Sequence, residues 1–358
     1  MERSQWAGVH ARVASVKGLK RGTSLPLAEM FKMGGTAGIM ARPSFLGRAF
    51  LYPNIGGINM FRGTGTALIT PFNEGRVDFE SLEKLLDFQV RNGVDFLVVL
   101  GTTGEAATIS SSEKKEIIRF CINKVGGKIP VVIGTGSNCT QTTAETSLAA
   151  LSLGADAVLI VTPYYNKPPQ EGLYQHYRTI ASRLGSGQII IYNVPGRTGV
   201  NILPETVLRL TEISNIVGIK EASGSQAQVD SLIRMVKKAR GDFAVLSGND
   251  DQAFHLVNAG GDGVISVLSN VAPKETSDMI RYALQGNVEE ARRLHLQLFP
   301  LMKGLFCETN PIPVKYAASK LGLCKNELRL PLVPASQKAM AEVDRAMTEG
   351  RILQCVMA

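Results

Sequence analysis

The chain has 358 residues, of which 44% are hydrophobic, and a formal net charge of +8. This length is enough for one large hydrophobic core or for two domains. No run of about 18 or more apolar residues occurs, so no membrane-spanning helix is expected. Five scattered cysteines without a CxxC motif and four histidines without metal-ligand spacing predict reduced thiols, no metal site and an intracellular protein.

The positive charge is concentrated in residues 1–59, which carry eight lysines and arginines against two glutamates, a net charge of +6. The remaining chain carries only +2 and shows no basic stripe interleaved with aromatic residues, so nucleic-acid binding is not expected. Residues 1–59 are acid-poor and lack periodicity. They are either an organelle transit segment or a mis-assigned start ahead of Met60. We favour the second interpretation, which predicts a cytoplasmic protein, whereas the first predicts an organelle or plastid location.

Short apolar runs recur from Met60 onward, and helical patterns separate them. Eight of these runs are predicted to be strands, at residues 64–70, 96–101, 130–136, 157–162, 188–194, 216–221, 244–248 and 263–269. Ser110 stands three residues before Glu113, which predicts a capping box at a helix start. A repeated turn from helix to strand is predicted at three places, which are Gly93-Val94-Asp95, Gly154-Ala155-Asp156 and Gly261-Asp262-Gly263.

Eight successive strand-then-helix units predict a (β/α)8 TIM barrel over residues 60–284, since this fold needs about 250 residues. Residues 285–358 have a helical pattern without strong strand signals and are predicted to be an added C-terminal helical region. An open doubly wound sheet is the alternative fold. That fold usually has a glycine-rich phosphate-binding turn after its first strand, and the first strand here runs into Thr70-Pro71-Phe72-Asn73 instead.

A lysine ends the sixth predicted strand, where the carboxyl ends of barrel strands carry the active site. Lys220 is followed at once by Glu221. Neighbouring side chains on a strand point to opposite faces, so only one of these two faces the barrel interior. If Lys220 faces inward, desolvation lowers its pKa and provides a neutral amine that can form a Schiff base. The alternative is a lysine that reaches water or pairs with Glu221.

Hydroxyl groups and one arginine follow the neighbouring strands. Tyr192 offers a phenol on the adjacent strand, and Thr103 and Tyr165 offer further hydroxyls that can relay a proton without adding a buried charge. Arg197 offers a planar, permanently charged group that suits a carboxylate. Taken singly, each has an ordinary alternative: a core tyrosine, a threonine in a turn, or a surface arginine. Together they favour the interpretation of Lys220 as an inward-facing lysine that forms a Schiff base.

Seven motifs resemble those of the dihydrodipicolinate synthase family, also called 4-hydroxy-tetrahydrodipicolinate synthase. The bacterial members are the most similar. The family is part of the N-acetylneuraminate lyase and class I aldolase superfamily. The resemblance runs from Met60 to near the C-terminus, and residues 1–59 match nothing in it. The motifs are GTTGE (101–105), TPYYNKP (162–168), YNVPGRTG (192–199), GIKEASG (218–224), LSGND (246–250), GGDGVISV (260–267) and ETNPIPVK (308–315).

The resemblance implies a lyase of lysine and diaminopimelate biosynthesis that condenses pyruvate with L-aspartate 4-semialdehyde, without a metal or organic cofactor. It implies that Lys220 forms the Schiff base and that Tyr192 is the general acid and base. Thr103 and Tyr165 would complete the relay, with Tyr165 contributed by a neighbouring subunit. The family is usually a tetramer built as a dimer of dimers, so a homo-oligomer is expected.

The resemblance also implies the substrate contacts. Arg197 would hold the carboxylate of the semialdehyde, and Thr102, Thr103 and Ile265 would line the pyruvate end. Two other functions stay open. A related pyruvate-dependent keto-acid aldolase or lyase shares the lysine and tyrosine, although Arg197 favours the semialdehyde. A non-catalytic barrel that binds a partner would be indicated by a missing lysine or tyrosine, and neither is missing.

Lysine-inhibited members of the family bind lysine through a glutamate and often a histidine. The corresponding positions here are Thr142 and Ser111. Asn138 and Tyr164 would remain from such an allosteric site. Because a site without its carboxylate holds an ammonium group poorly, weak feedback inhibition is expected.

Overall fold

The computed structural model describes residues 60–352. The predicted N-terminal extension, residues 1–59, and the last six residues lie outside the described part. Within it, eight parallel strands close into one barrel, each strand pairing with the next and the last with the first. The eight predicted strands are confirmed, at Gly63–Ala67 (β1), Phe96–Val99 (β2), Val131–Gly134 (β3), Ala157–Val161 (β4), Gln188–Asn193 (β5), Ile216–Glu221 (β6), Ala244–Ser247 (β7) and Gly263–Ser266 (β8).

Helices follow the strands and surround the barrel, which confirms the predicted (β/α)8 class. The α-helices of residues 60–352 are Phe79–Arg91 (α1), Ser111–Val125 (α2), Thr140–Ser152 (α3), Gln170–Leu184 (α4), Pro195–Thr198 (α5), Pro204–Leu210 (α6), Gln226–Ala239 (α7), Asp250–Asn258 (α8), Pro273–Leu284 (α9), Val288–Gly304 (α10), Ile312–Lys320 (α11) and Gln337–Glu349 (α12). The last three form the C-terminal helices that the sequence predicts. No helix within the described range is long and apolar enough to cross a membrane.

The strands are apolar on both faces because both faces are buried. On β2, Phe96 and Val98 belong to a cluster inside the barrel, whereas Leu97 and Val99 pack in the layer between barrel and helices. Phe61 closes the inner cluster, with its ring edge-on to Phe96 at 5.6 Å between centroids. Burying each such side chain stabilises the folded state by about 1.5–3 kcal/mol. The inner cluster and the outer layer together hold the strand ends in place.

The predicted helix-to-strand turns are present and have a common function. In each, an aspartate accepts a hydrogen bond from an amide near the start of the preceding barrel strand. The three bonds are Asp95 to the Thr64 amide at 2.7 Å, Asp156 to the Val131 amide at 2.8 Å and Asp262 to the Val245 amide at 2.7 Å. In the first two turns, Gly93 and Gly154 have the positive φ that is typical of a helix end. In the third turn the residue with this positive φ is Gly260, and not Gly261 as the repeat predicts.

The start of α2 is the predicted capping box. The Ser110 side chain accepts from the Glu113 amide, and the Glu113 side chain accepts from the Ser110 amide at 2.9 Å. These reciprocal bonds satisfy two backbone donors that the helix leaves open. The capping box therefore fixes the point at which the GTTGE loop (residues 101–105) ends and the helix begins.

The pairing of β5 with β6 contains one irregularity. Ile189 pairs with Ile216, but the next residue, Ile190, pairs with Gly218, so β6 has one extra residue at Val217. A shift of one residue moves every later side chain of a strand to the opposite face. This bulge therefore decides which residues of the end of β6 point into the barrel.

Candidate active site

The end of β6 places Lys220 inside the barrel and Glu221 outside it. Lys220 is only 5% exposed, and it passes so close to Gly248 that a Cβ there would lie 3.0 Å from Lys220 Cε. The Glu221 carboxylate accepts instead from Asn193 Nδ2 at 3.0 Å and Gln228 Nε2 at 3.1 Å. The two neighbours therefore do not pair, and the alternative of a Lys220–Glu221 ion pair does not apply.

Burial, the largest cause, and the charge of Arg197 lower the pKa of Lys220 to about 8, although the charge of Asp250 acts in the opposite direction. Roughly a tenth of the amine is then neutral at pH 7, compared with less than a thousandth for an ordinary lysine. The Nζ atom lies 4.4 Å from the centre of the Tyr192 ring. The result is a desolvated amine that is chemically suited to attack a carbonyl carbon.

Tyr192 lies on β5 directly opposite Lys220 in the strand pairing. It is 7% exposed. Burial raises the pKa of its phenol, while the charge of Arg197 and a hydrogen bond with Thr102 act in the opposite direction. The phenol is therefore protonated near neutral pH, so it can donate a proton and receive one back.

The hydroxyl that meets Tyr192 belongs to Thr102, not to Thr103. Thr103 is buried, and its hydroxyl accepts a hydrogen bond from Asn310 Nδ2 at 2.9 Å. Thr102 is therefore a further candidate partner of the Tyr192 phenol, and the relay through Thr103 stays a prediction.

Arg197 lies on the short helix α5 at the mouth of the barrel. Its Nη2 donates to the backbone oxygen of Asn310 at 2.9 Å, and its charge acts on both Tyr192 and Lys220. Ile265 is fully buried on β8 and packs in the inner cluster. The polar groups at the mouth thus stand above an apolar floor, an arrangement typical of pockets for small organic ligands.

Tyr165 is placed away from these groups. Its side chain is 89% exposed, and its φ of 72° is rare for a residue other than glycine. The next residue, Asn166, donates from Nδ2 to the Asn138 backbone oxygen at 3.1 Å and fixes the loop. Within residues 60–352 no hydrogen bond joins the Tyr165 side chain to Lys220, Tyr192 or Arg197, and its contribution from a neighbouring subunit stays a prediction.

Comparison with known proteins decides the family. The model of the dihydrodipicolinate synthetase family matches residues 60–350. The chain belongs to this family. It is 60% identical over 295 residues to 4-hydroxy-tetrahydrodipicolinate synthase of Kosmotoga olearia, a match that covers 82% of this chain and the whole of that relative. The chain is therefore an enzyme, a lyase of the class I aldolase type.

Solved structures of the dihydrodipicolinate synthetase family agree with this fold. Dihydrodipicolinate synthase of Thermotoga maritima is 52% identical, with a TM-score of 0.81 over 82% of this chain and 100% of that one. The enzyme of Acinetobacter baumannii, whose crystal structure is a complex with pyruvate, is 43% identical, with a TM-score of 0.79 over 81% of this chain and 99% of that one.

Asn310 is a residue of the site that sequence reasoning did not single out. It is 5% exposed, and it bonds to Thr103 through its side chain and to Arg197 through its backbone oxygen. Nearby, Lys315 of α11 and Glu105 form an ion pair whose side chains are 0% and 1% exposed. The family motif ETNPIPVK (residues 308–315) therefore forms one wall of the catalytic rim, although its sequence alone gives no sign of this contact.

The residues of the predicted allosteric remnant lie on the surface. Tyr164 is 41% exposed, and Thr142 and Ser111 are exposed on the first turns of α3 and α2. Asn138 is half-buried and holds Asn166 through its backbone oxygen. A lysine site in this member of the dihydrodipicolinate synthetase family stays a prediction. Within residues 60–352, no group of three or more His, Cys, Asp or Glu side chains is placed to hold a metal ion.

Proposed function

We propose that this enzyme condenses pyruvate with L-aspartate 4-semialdehyde, through a Schiff base on Lys220, to give 4-hydroxy-tetrahydrodipicolinate for lysine and diaminopimelate biosynthesis. One observation carries the proposal: a buried Lys220, with its pKa lowered to about 8, lies against the phenol ring of Tyr192. The names of the relatives and the pyruvate complex of the Acinetobacter baumannii enzyme support it.

The first step is formation of the imine. The neutral amine of Lys220 adds to the keto carbon of pyruvate, and a C–N bond forms while the carbonyl oxygen takes up a proton. The nitrogen loses a proton, the hydroxyl group takes one up and leaves as water, and an iminium ion with one positive charge remains. Tyr192 passes these protons, with Thr102 as its hydrogen-bond partner.

The second step forms the carbon–carbon bond. Loss of a methyl proton converts the iminium to a neutral enamine, and its methylene carbon attacks the aldehyde carbon of the semialdehyde. The aldehyde oxygen takes up a proton and becomes the 4-hydroxyl group. The amino group of the semialdehyde then attacks the imine carbon, and the C–N bond to Lys220 breaks, so the free amine returns.

Arg197 determines which aldehyde enters. Its guanidinium group stands at the mouth with one nitrogen bonded to the Asn310 backbone, so the remaining donors are available for a carboxylate. A related keto-acid aldolase or lyase would use the same Lys220 and Tyr192 with another aldehyde. The charge of Arg197 favours a small aldehyde that carries a carboxylate.

The proposal includes a homo-oligomer, in which a partner subunit contributes Tyr165. What supports it is a tyrosine that is 89% exposed on a loop held by hydrogen bonds. A tetramer built as a dimer of dimers follows the family resemblance. A cytoplasmic location is proposed on the same basis.

The experiment is reduction with borohydride in the presence of pyruvate, followed by peptide mass spectrometry. One reduced adduct per chain is expected, on Lys220. Lys315 is the matched control, because it is also buried but is held in an ion pair with Glu105. An adduct on Lys315, or the absence of any adduct, would overturn the assignment of the Schiff base to Lys220.

A further inference from the structure

Asp250 is a buried carboxylate that the mechanism above does not use. It is the first residue of α8, just beyond the end of β7, and it is 3% exposed. Its Oδ2 accepts from the amides of Val267 at 3.0 Å and Leu268 at 2.9 Å. Its Oδ1 is buried without a hydrogen-bond partner in the part of the chain that the structure describes. An unpartnered buried carboxylate oxygen is rare and calls for an explanation.

The position of Asp250 brings it to Lys220. Lys220 pairs with Leu246 across β6 and β7, and its side chain then passes Gly248, two residues before Asp250. The carboxylate raises the pKa of Lys220, and Lys220 in turn lowers the pKa of Asp250. The amine and the carboxylate therefore lie at the same end of the barrel and act on each other.

The groups that face Lys220 come from three elements. Tyr192 of β5 presents its ring, Arg197 of α5 adds positive charge, and Asp250 of α8 adds negative charge. Glu221 faces the helix layer. Asp250 is thus the acidic group that raises the pKa of Lys220, against the effects of burial and of Arg197.

Burial raises the pKa of the Asp250 carboxyl group, and several neighbouring groups act against this rise. The Ser266 hydroxyl, the two backbone amides and Lys220 all oppose the effect of burial. The amino-terminal end of α8 favours a negative charge at its first residue as well. Hydrogen bonds to a carboxylate favour its charged form.

We propose that Asp250 is the buried counter-charge of Lys220, a positioning residue that sets the proton affinity of the amine and stabilises the positive charge of the iminium ion formed on it. The stabilisation of the iminium ion rests on the proposed function. A buried cation without a partner is unfavourable, and Arg197 makes it more so. The free Oδ1 provides the missing negative charge without a covalent role.

The first test measures Lys220 directly and needs no substrate. The pH dependence of its trace acetylation by acetic anhydride is followed by peptide mass spectrometry in Asp250→Asn and Asp251→Asn. Asparagine keeps an oxygen for the two amides and removes the charge. The midpoint should fall by about one pH unit in Asp250→Asn, a tenfold change in proton affinity.

Asp251 is the matched control, because it is the next residue of the same helix end and its side chain faces Lys303, with 3.3 Å between the charged atoms. Asp251→Asn should leave the midpoint of Lys220 where it is in the parent enzyme. Equal shifts in the two variants, no shift, or an upward shift in Asp250→Asn would overturn the proposal.

The second test measures the iminium ion. Borohydride trapping at subsaturating pyruvate should give about tenfold less adduct in Asp250→Asn than in the parent. If the parent gives no adduct, the proposed function fails while the acetylation result still stands. If parent and variant give equal adduct, the counter-charge fails and the Schiff base stands.

A reciprocal variant covers the case in which Asp250→Asn does not fold. Lys220→Met removes the positive charge, so the pKa of Asp250 should rise by about one unit, as seen by ¹³C NMR of labelled aspartate. An unchanged Asp250 titration in Lys220→Met would overturn the proposal by itself.

Discussion

Lys220 and Tyr192 lie opposite each other on neighbouring strands, and the Lys220 Nζ lies 4.4 Å from the centre of the Tyr192 ring. The aromatic face shields the amine from water, and burial holds the amine partly neutral and the phenol protonated. The strand pairing itself thus fixes the proposed nucleophile beside the proposed proton carrier.

Replacing Tyr192 with phenylalanine removes one hydroxyl and keeps the ring that covers Lys220. General acid–base catalysis contributes about 10²–10⁴-fold, so kcat should fall by that factor. Tyr177→Phe is the control, because the hydroxyl of this buried tyrosine donates to the Ile160 backbone oxygen at 2.9 Å. It should cost about 1 kcal/mol of stability and leave kcat unchanged. Equal kcat values in the two variants would remove Tyr192 from the proton transfers.

The two threonines of the GTTGE loop should differ in their effect. Thr102→Val removes the hydroxyl that meets Tyr192 and should lower kcat by about tenfold or more, within the range of general acid–base effects. Thr103→Val removes the hydroxyl that accepts a hydrogen bond from Asn310. It should lower the thermal stability and have a smaller effect on kcat than Thr102→Val. Steady-state kinetics and thermal unfolding of both variants make the comparison. A larger kcat loss in Thr103→Val than in Thr102→Val would support the relay through Thr103 that the sequence predicts.

Arg197→Ala should raise KM for aspartate semialdehyde far more than KM for pyruvate. Charge-assisted hydrogen bonds contribute about 1.5–3 kcal/mol, which corresponds to a factor of ten to a hundred or more. Arg209→Ala serves as the control, since this arginine pairs with Glu171 on the outside of the barrel. Parallel losses for the two substrates in Arg197→Ala would indicate a structural role only.

The buried Lys315–Glu105 pair should be essential for stability. Lys315→Met leaves an uncompensated buried carboxylate, which costs about 3–5 kcal/mol, and denaturant unfolding should show this loss. Adding Glu105→Gln should recover part of it. Lys84→Met, which breaks an exposed pair with Glu80, should have little effect. If Lys315→Met were as stable as Lys84→Met, the pair would not fasten the C-terminal region to the barrel.

L-Lysine at millimolar concentration should inhibit this enzyme weakly. Thr142 cannot supply the negative charge that a bound ammonium group needs, and Ser111 offers no imidazole. One lost charged partner weakens binding by about ten- to a hundredfold, since such bonds contribute about 1.5–3 kcal/mol. A lysine titration of the condensation rate checks this, and Thr142→Glu should increase the sensitivity. Half-inhibition of the parent enzyme below about a millimolar would show that another residue supplies the charge.

Much of the fold follows from local sequence patterns. Apolar runs with helical patterns between them predict eight strands, and the capping box of Ser110 and Glu113 predicts the start of α2, because these signals act over a few residues. Lys220, Tyr192 and Arg197 are found at strand ends or in the loops that follow them, so the position of the candidate site is predicted as well. The contact of Asn310 with Thr103 is not, because it joins residues 207 positions apart through the packing of the C-terminal helices.

The orientation of Lys220 is decided by the tertiary structure. Alternation along β6 requires only that Lys220 and Glu221 face opposite sides. Ile216 packs outside the barrel, so an unbroken alternation from it would turn Lys220 outward as well. The extra residue at Val217 shifts the pairing with β5 by one and turns Lys220 inward, opposite Tyr192. That shift depends on how two strands pair, and no pattern within either strand alone contains it.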